Sequence, residues 1–190
     1  MAISDKNINI CSRALVGIGA DGISSFEEGT VEAKVASELY ETAKQDLLAI
    51  YPWSFATCET YLARVNVDEL ALYKYLYEKP KDWLRTITAT ESKNNIISYT
   101  YRAGKINTNA EKPVLTYIAD VEENDMPAYF ITALIARLQR DFIIPITGKH
   151  DEYKTFDNIY QMALIAAKTT DAQSKQAEVL DTSYLIRGRQ

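Results

Sequence analysis

Histidine is nearly absent from this 190-residue chain: His150 stands alone. A multi-histidine metal site is therefore excluded, and any serine or cysteine triad would depend on that one imidazole. Cysteine is as scarce. Cys11 and Cys58 have no CxxC spacing and no histidine beside them, so both are expected as reduced residues packed like small apolar side chains. Seven glycines and five prolines are too few for a collagenous or low-complexity chain. Basic charge is in deficit: 21 Lys and Arg against 26 Asp and Glu leave a net charge of −5, which argues against long-range capture of nucleic acid or an anionic membrane. No run approaches the ~20 apolar residues of a membrane helix. The opening Met1-Ala2-Ile3-Ser4-Asp5-Lys6 lacks the apolar stretch of a secretory signal, so none is expected. There is no GxSxG elbow, no phosphate-binding glycine loop, no HExxH and no calcium loop. No catalytic residue, cofactor or metal is expected.

What the chain does have is tyrosine, 13 residues against 5 Phe and 2 Trp. Such rings carry a polar end and suit half-wet surfaces. Apolar residues recur at helical spacing from Ile8 to Ile18 and again from Ala36 to Ile50, with Thr30 as an N-cap and Pro52 as a stop. From Trp53 to Val121 the period becomes alternating. Strands are expected at Phe55 to Val65, Leu72 to Tyr77, Leu84 to Thr90, Ile96 to Tyr101 and Val114 to Val121. Helical spacing returns after Pro127, stops at Pro145, and resumes in a last helix with Tyr153, Phe156, Tyr160, Leu164 and Ala167 on one stripe. The expected fold class is α+β. Residues 1–52 and 122–172 form a discontinuous four-helix body, 53–121 an inserted antiparallel β domain, and 173–190 an extended C-terminal arm.

Few groups suggest chemistry. His150 opens the last helix beside Asp151, but sequence neighbours on a helix do not face each other, so a solvated residue is expected. A cell-wall hydrolase needs two carboxylates roughly 5 to 9 Å apart. Its candidates are Glu27, Glu28, Glu122 and Glu123, all ahead of helix starts where negative charge is favoured for structural reasons. Tyr73, Tyr75 and Tyr77, with Tyr99, Tyr101 and Tyr117, would suit a stacking platform for single-stranded nucleic acid or sugars. The cations at hand are Lys74, Lys79, Lys81, Arg85 and Arg102. The preferred reading is that these tyrosines cover a sheet and meet a neighbouring subunit.

Ordered blocks of residues then carry a resemblance. Cys11-Ser12-Arg13-Ala14-Leu15-Val16-Gly17-Ile18-Gly19, Ile23-Ser24-Ser25-Phe26, Pro52-Trp53-Ser54-Phe55-Ala56-Thr57 and Tyr75 to Arg85 resemble, in that order, the tail tubular protein A or head-to-tail connector (adaptor) family of short-tailed bacteriophages. Lys79 departs from that pattern, where the family usually carries Leu. Tyr117 to Val121, Met126-Pro127, Ala133 to Leu138, Pro145 to Gly148 and Asp171-Ala172-Gln173 are similar to its closing part. The resemblance covers roughly residues 8 to 173.

It implies a structural virion protein located in the neck and tail and made in the host cytoplasm. The chain would form a homo-oligomeric, dodecameric ring beneath the portal protein and present a platform to a nozzle similar to tail tubular protein B. DNA would pass through the channel without sequence-specific binding, and no membrane is involved. No catalytic residue comes with it. Tyr73, Tyr75, Tyr77, Tyr99 and Tyr101, with Tyr184, Leu185, Ile186, Arg187 and Arg189 of the arm, are the expected interface residues. A virion-associated cell-wall hydrolase and a nucleic-acid-binding module remain the alternatives.

Overall fold

Small residues set into an apolar stripe suit the first two helices to packing against the third. In the computed structural model, which describes residues 4–66, 72–92 and 95–174, α1 (Ser4–Gly17) buries Ile10, Cys11, Ala14 and Leu15. Helix α2 (Val31–Ala49) buries Ala33, Ala36, Tyr40, Ala43 and Leu47, a spacing of three and four. Thr30 caps it as expected, its hydroxyl accepting from the Ala33 N–H at 3.2 Å. Helix α3 (Ala128–Phe142) is the most deeply placed: Phe130, Leu134, Leu138 and Phe142 are fully buried, and it packs against α1, α2 and α4 (Tyr153–Ser174).

Pro145 does not stop α3 outright. The backbone widens into a π-helical turn over Ile143–Thr147, which accommodates a residue with no N–H to donate. The Thr147 hydroxyl bonds back to the Ile143 carbonyl, and Gly148, at φ 68°, ends the turn in the left-handed conformation glycine tolerates.

Between α2 and α3 the described residues form eight strands in two antiparallel four-stranded sheets. They are β1 (Thr57–Tyr61), β2 (Arg64–Val65), β3 (Tyr75–Glu78), β4 (Trp83–Ser92), β5 (Asn95–Ile96), β6 (Tyr99–Arg102), β7 (Lys105–Thr108) and β8 (Val114–Ala119). The first sheet has the order β1-β8-β4-β5 and the second β2-β3-β7-β6. Two expected strands are each divided. Phe55 to Val65 begins with a 3-10 turn (Ser54–Ala56) and breaks at Leu62-Ala63, where the chain passes from one sheet to the other; Ile96 to Tyr101 breaks at Ile97-Ser98. Strand β7 went unanticipated because Lys105-Ile106-Asn107-Thr108 holds one apolar residue, so its alternating burial does not show as alternating hydropathy.

Leu115, Tyr117 and Ala119 of β8 pack with Tyr77, Ala89 and Ile106 between the sheets, whereas Ile118 belongs to the helical core. One strand thus serves both cores, because alternate side chains leave opposite faces. The fold is α+β, and no described helix is long and apolar enough to cross a membrane. Residues 175–190, which hold most of the expected arm, lie outside the described residues.

Candidate functional site

One cluster of buried polar groups sits where the helices meet the start of the strands. Pro52 ends α2, and the chain turns so that Trp53 is fully buried, its Nε1 donating to the Leu47 carbonyl at 2.9 Å. Phe130 meets Trp53 edge-on at 5.2 Å and Phe55 at 5.0 Å, which makes a knot of rings. At its border lies Asp171, near the end of α4 and fully buried. One carboxylate oxygen accepts the Ser54 hydroxyl at 2.6 Å, the Ser54 N–H at 3.0 Å and the Tyr129 phenol at 2.8 Å. Burial first, and then this bond, push the Tyr129 hydroxyl up to about 12. The site holds a carboxylate in three hydrogen bonds, an arrangement that locks α4 and α3 to residue 54.

A second polar chain runs along the other side of the helices. Lys44, buried on α2, reaches Glu41 at 3.0 Å, Asp120 at 3.2 Å and Glu123 at 3.8 Å. Burial works to lower its pKa, but the bonds from Glu41 and Asp120 outweigh it and the net shift is upward. Glu123, itself buried, accepts the Tyr40 phenol at 3.0 Å, while its carbonyl takes the Lys6 ammonium. Burial, then Glu123, raise the Tyr40 hydroxyl far above its ordinary value. Asp120 also accepts from Gln45 at 2.9 Å and its N–H donates to the Asp82 carbonyl at 2.6 Å. Asp82 in turn accepts from Tyr117 at 3.1 Å. The chain therefore ties α1 and α2 to the first sheet.

The expected interface tyrosines divide on inspection of where they lie. Tyr77 is 1% exposed, its hydroxyl donating to the carbonyls of Ala110 and Glu111 at 2.8 and 2.7 Å, so it is a core residue and not a surface one. Tyr75 and Tyr99 are half-buried against the same core, and Arg64 lies over the Tyr75 ring at 4.2 Å. Tyr73 precedes β3 and is half-buried. Tyr101 alone of the five is well exposed, stacked on Trp83 at 5.2 Å. Lys79 lies over Trp83 at 4.6 Å, so that ring is already engaged within its own chain and offers little to a base. The physical reason for the difference is the sandwich: each sheet turns one face inward, and alternation alone does not tell which. Tyr184, Leu185, Ile186, Arg187 and Arg189 lie outside the described residues.

Two of the four carboxylates proposed for hydrolysis are held in internal hydrogen bonds. Glu28 accepts from the Ser24 N–H at 2.7 Å, the Ser25 N–H at 3.1 Å and the Ser24 hydroxyl, and the bond from Ser24 holds its pKa low. Glu123 is the buried acceptor of Tyr40, while Glu27 and Glu122 are exposed. His150 is exposed. Tyr40 and Tyr160 are buried as their stripe predicts, but Tyr153, at the start of α4, is 39% exposed. Cys11 is fully buried and Cys58 half-buried. Among the described residues no three His, Cys, Asp or Glu side chains gather as a metal site.

Asp171 went unrecognised in the sequence, although a signal was there: it falls four residues after Ala167 and seven after Leu164, on the buried stripe of α4. A scan of protein-family models finds none that matches the chain, and a search of curated proteins finds no match either.

Proposed function

We propose that this chain is a non-enzymatic structural subunit of a bacteriophage neck, a connector that assembles as a ring beneath the portal and carries the tail nozzle. In this reading the four helices are the body of each subunit, the β domain faces the tail, and the C-terminal arm engages the portal. DNA passes through the central channel without being gripped, which suits subunits of net charge −5.

One observation carries the reading. The block Pro52 to Thr57 and the block Asp171-Ala172-Gln173 enter the resemblance separately, yet Ser54 and Asp171, 117 positions apart, are joined by three hydrogen bonds. Matches scattered by chance through a chain have no reason to meet in its core. The same bonds tie α3 and α4 to the turn that leads into β1, which suits a subunit that carries load. The hydrolase alternative loses ground because Glu28 and Glu123 are already committed to internal hydrogen bonds.

Cosedimentation with portal-bearing capsids tests this. The full chain is expected to pellet with them, and a chain ending at residue 173 to bind them at least tenfold more weakly. Failure of the full chain to bind overturns the connector reading; equal binding by the shortened chain removes the arm from it.

A further inference from the structure

Two surfaces of this chain have opposite shapes, and the charges at their margins are opposite in sign. The first is the outward side of α4. Its inward side carries Tyr160, Leu164, Ala167 and Asp171. At about 100° per residue the opposite side carries Asn158, Ile159, Met162, Ile165, Ala166 and Thr169. Met162 and Ile165 are 64% and 65% exposed. In a protein whose residues are 25% charged, a helix face with no charge and two such side chains has the composition of an interface core. The cations of the helix flank that face: Lys154 is exposed, and Lys168 is half-buried over the Tyr51 ring. Its acids are turned elsewhere, Asp157 to Arg140 and Asp171 to Ser54.

The second surface is a trough of about 540 Å³ on the outer face of the first sheet. Register sets two rows across its three strands, Glu59 with Thr116 and Thr88, and Tyr61 with Val114 and Thr90. Val114, four threonines and Tyr61, which is 75% exposed, line it with two glutamates. Its charged groups are both acidic. Glu59 accepts from Thr116 at 3.4 Å and Glu91 from the Glu111 N–H at 2.7 Å, each through one oxygen.

We infer that the α4 ridge of one copy seats in the sheet trough of the next copy. Met162 and Ile165 enter the trough, and the flanking Lys154 and Lys168 face Glu59 and Glu91. The occupant is a second copy because the same chain supplies both halves of the match: convex against concave, and flanking lysines against a trough whose charged groups are both acidic. An acidic margin also repels nucleic acid. Ridge and trough are different patches, so any open row of joined copies leaves one of each free at its two ends, and addition continues until a ring closes. The inference rests on the ring reading and names its contact.

Native mass measurement on three proteins tests it. The ridge variant carries Met162→Glu and Ile165→Glu; the trough variant carries Tyr61→Arg and Thr88→Arg. Each alone is expected to stay at the 21.5 kDa chain mass at concentrations at least tenfold above those where the wild type assembles. Mixed in equal amounts they are expected to form a two-chain species and nothing larger, because one intact ridge meets one intact trough. A milder pair, Lys154→Glu and Glu59→Lys, leaves the fold undisturbed: each alone weakens assembly and both in one chain restore it. Wild-type rings with variants that also form rings, or a mixture that stays monomeric, overturn the inference and leave the ring reading intact. A wild type that never assembles, alone or with portal, overturns the ring reading itself.

Discussion

Asp171 and Tyr129 are joined at 2.8 Å, and the same carboxylate oxygen holds the Ser54 hydroxyl at 2.6 Å. A fully buried carboxylate so engaged leaves three donors without an acceptor when it is removed. Asp171→Ala is expected to cost about 3 kcal/mol and Tyr129→Phe about 1 kcal/mol. The double variant is expected to cost less than the two together, since both remove one bond. Urea unfolding measures all three, and an Asp171→Ala variant within ~0.5 kcal/mol of the wild type contradicts the role given to this carboxylate.

The β6–β7 hairpin turns through Ala103 and Gly104 at φ 50° and 77°. Arg102 pairs with Lys105 across it, so the loop has two residues and both occupy the left-handed region that such tight turns demand. Alanine is strained there, while asparagine tolerates it. Ala103→Asn is expected to stabilise the fold by about 0.5 kcal/mol, a small rise in melting temperature. Ala103→Val is expected to lower it.

Alkaline pH weakens the fold by a defined route. Burial foremost raises Cys11 from 9.0 to about 12, and raises Tyr117 and Tyr129 from 10.0 to about 12. Each group keeps its proton in the folded chain where the unfolded chain has lost it. Their contribution is therefore complete below about pH 9 and declines as pH rises towards about 12. Melting temperature followed across this range is expected to fall steadily, and a flat profile contradicts the assignment.

Thiol labelling separates the two cysteines. Cys11 is fully buried beside Glu123, whereas Cys58 is half-buried at the edge of the sandwich. Ellman's reagent is expected to titrate Cys58 slowly in the native protein and Cys11 only on unfolding. Equal native rates contradict the packing of α1.

The helices were legible because their stripes are long: Ala33, Ala36, Tyr40, Ala43 and Leu47 repeat over four turns, and Thr30 and Pro52 mark the ends. The long strands were legible too, Leu84 to Thr90 within β4 and Val114 to Val121 over β8, but the short ones were not. Two-residue elements such as Arg64–Val65 and Asn95–Ile96 carry no period, and the corner at Leu62-Ala63 is set by the second sheet and not by local residues. Tyr77 shows the same limit at a single position, since alternation puts it on a face without saying which face meets the other sheet. The burial of Lys44, Glu123 and Asp171 was not legible for a different reason. Charged residues are expected outside, and their burial depends on partners from distant segments, Glu123 for Tyr40 and Asp171 for Ser54.

The central claim, that this chain builds a ring on a portal, is tested most directly by weighing the purified protein alone and after mixing with portal rings. The account predicts a complex whose added mass is a whole multiple of the 21.5 kDa chain, matching one closed ring per portal. Free chains that remain monomeric beside an unchanged portal contradict it.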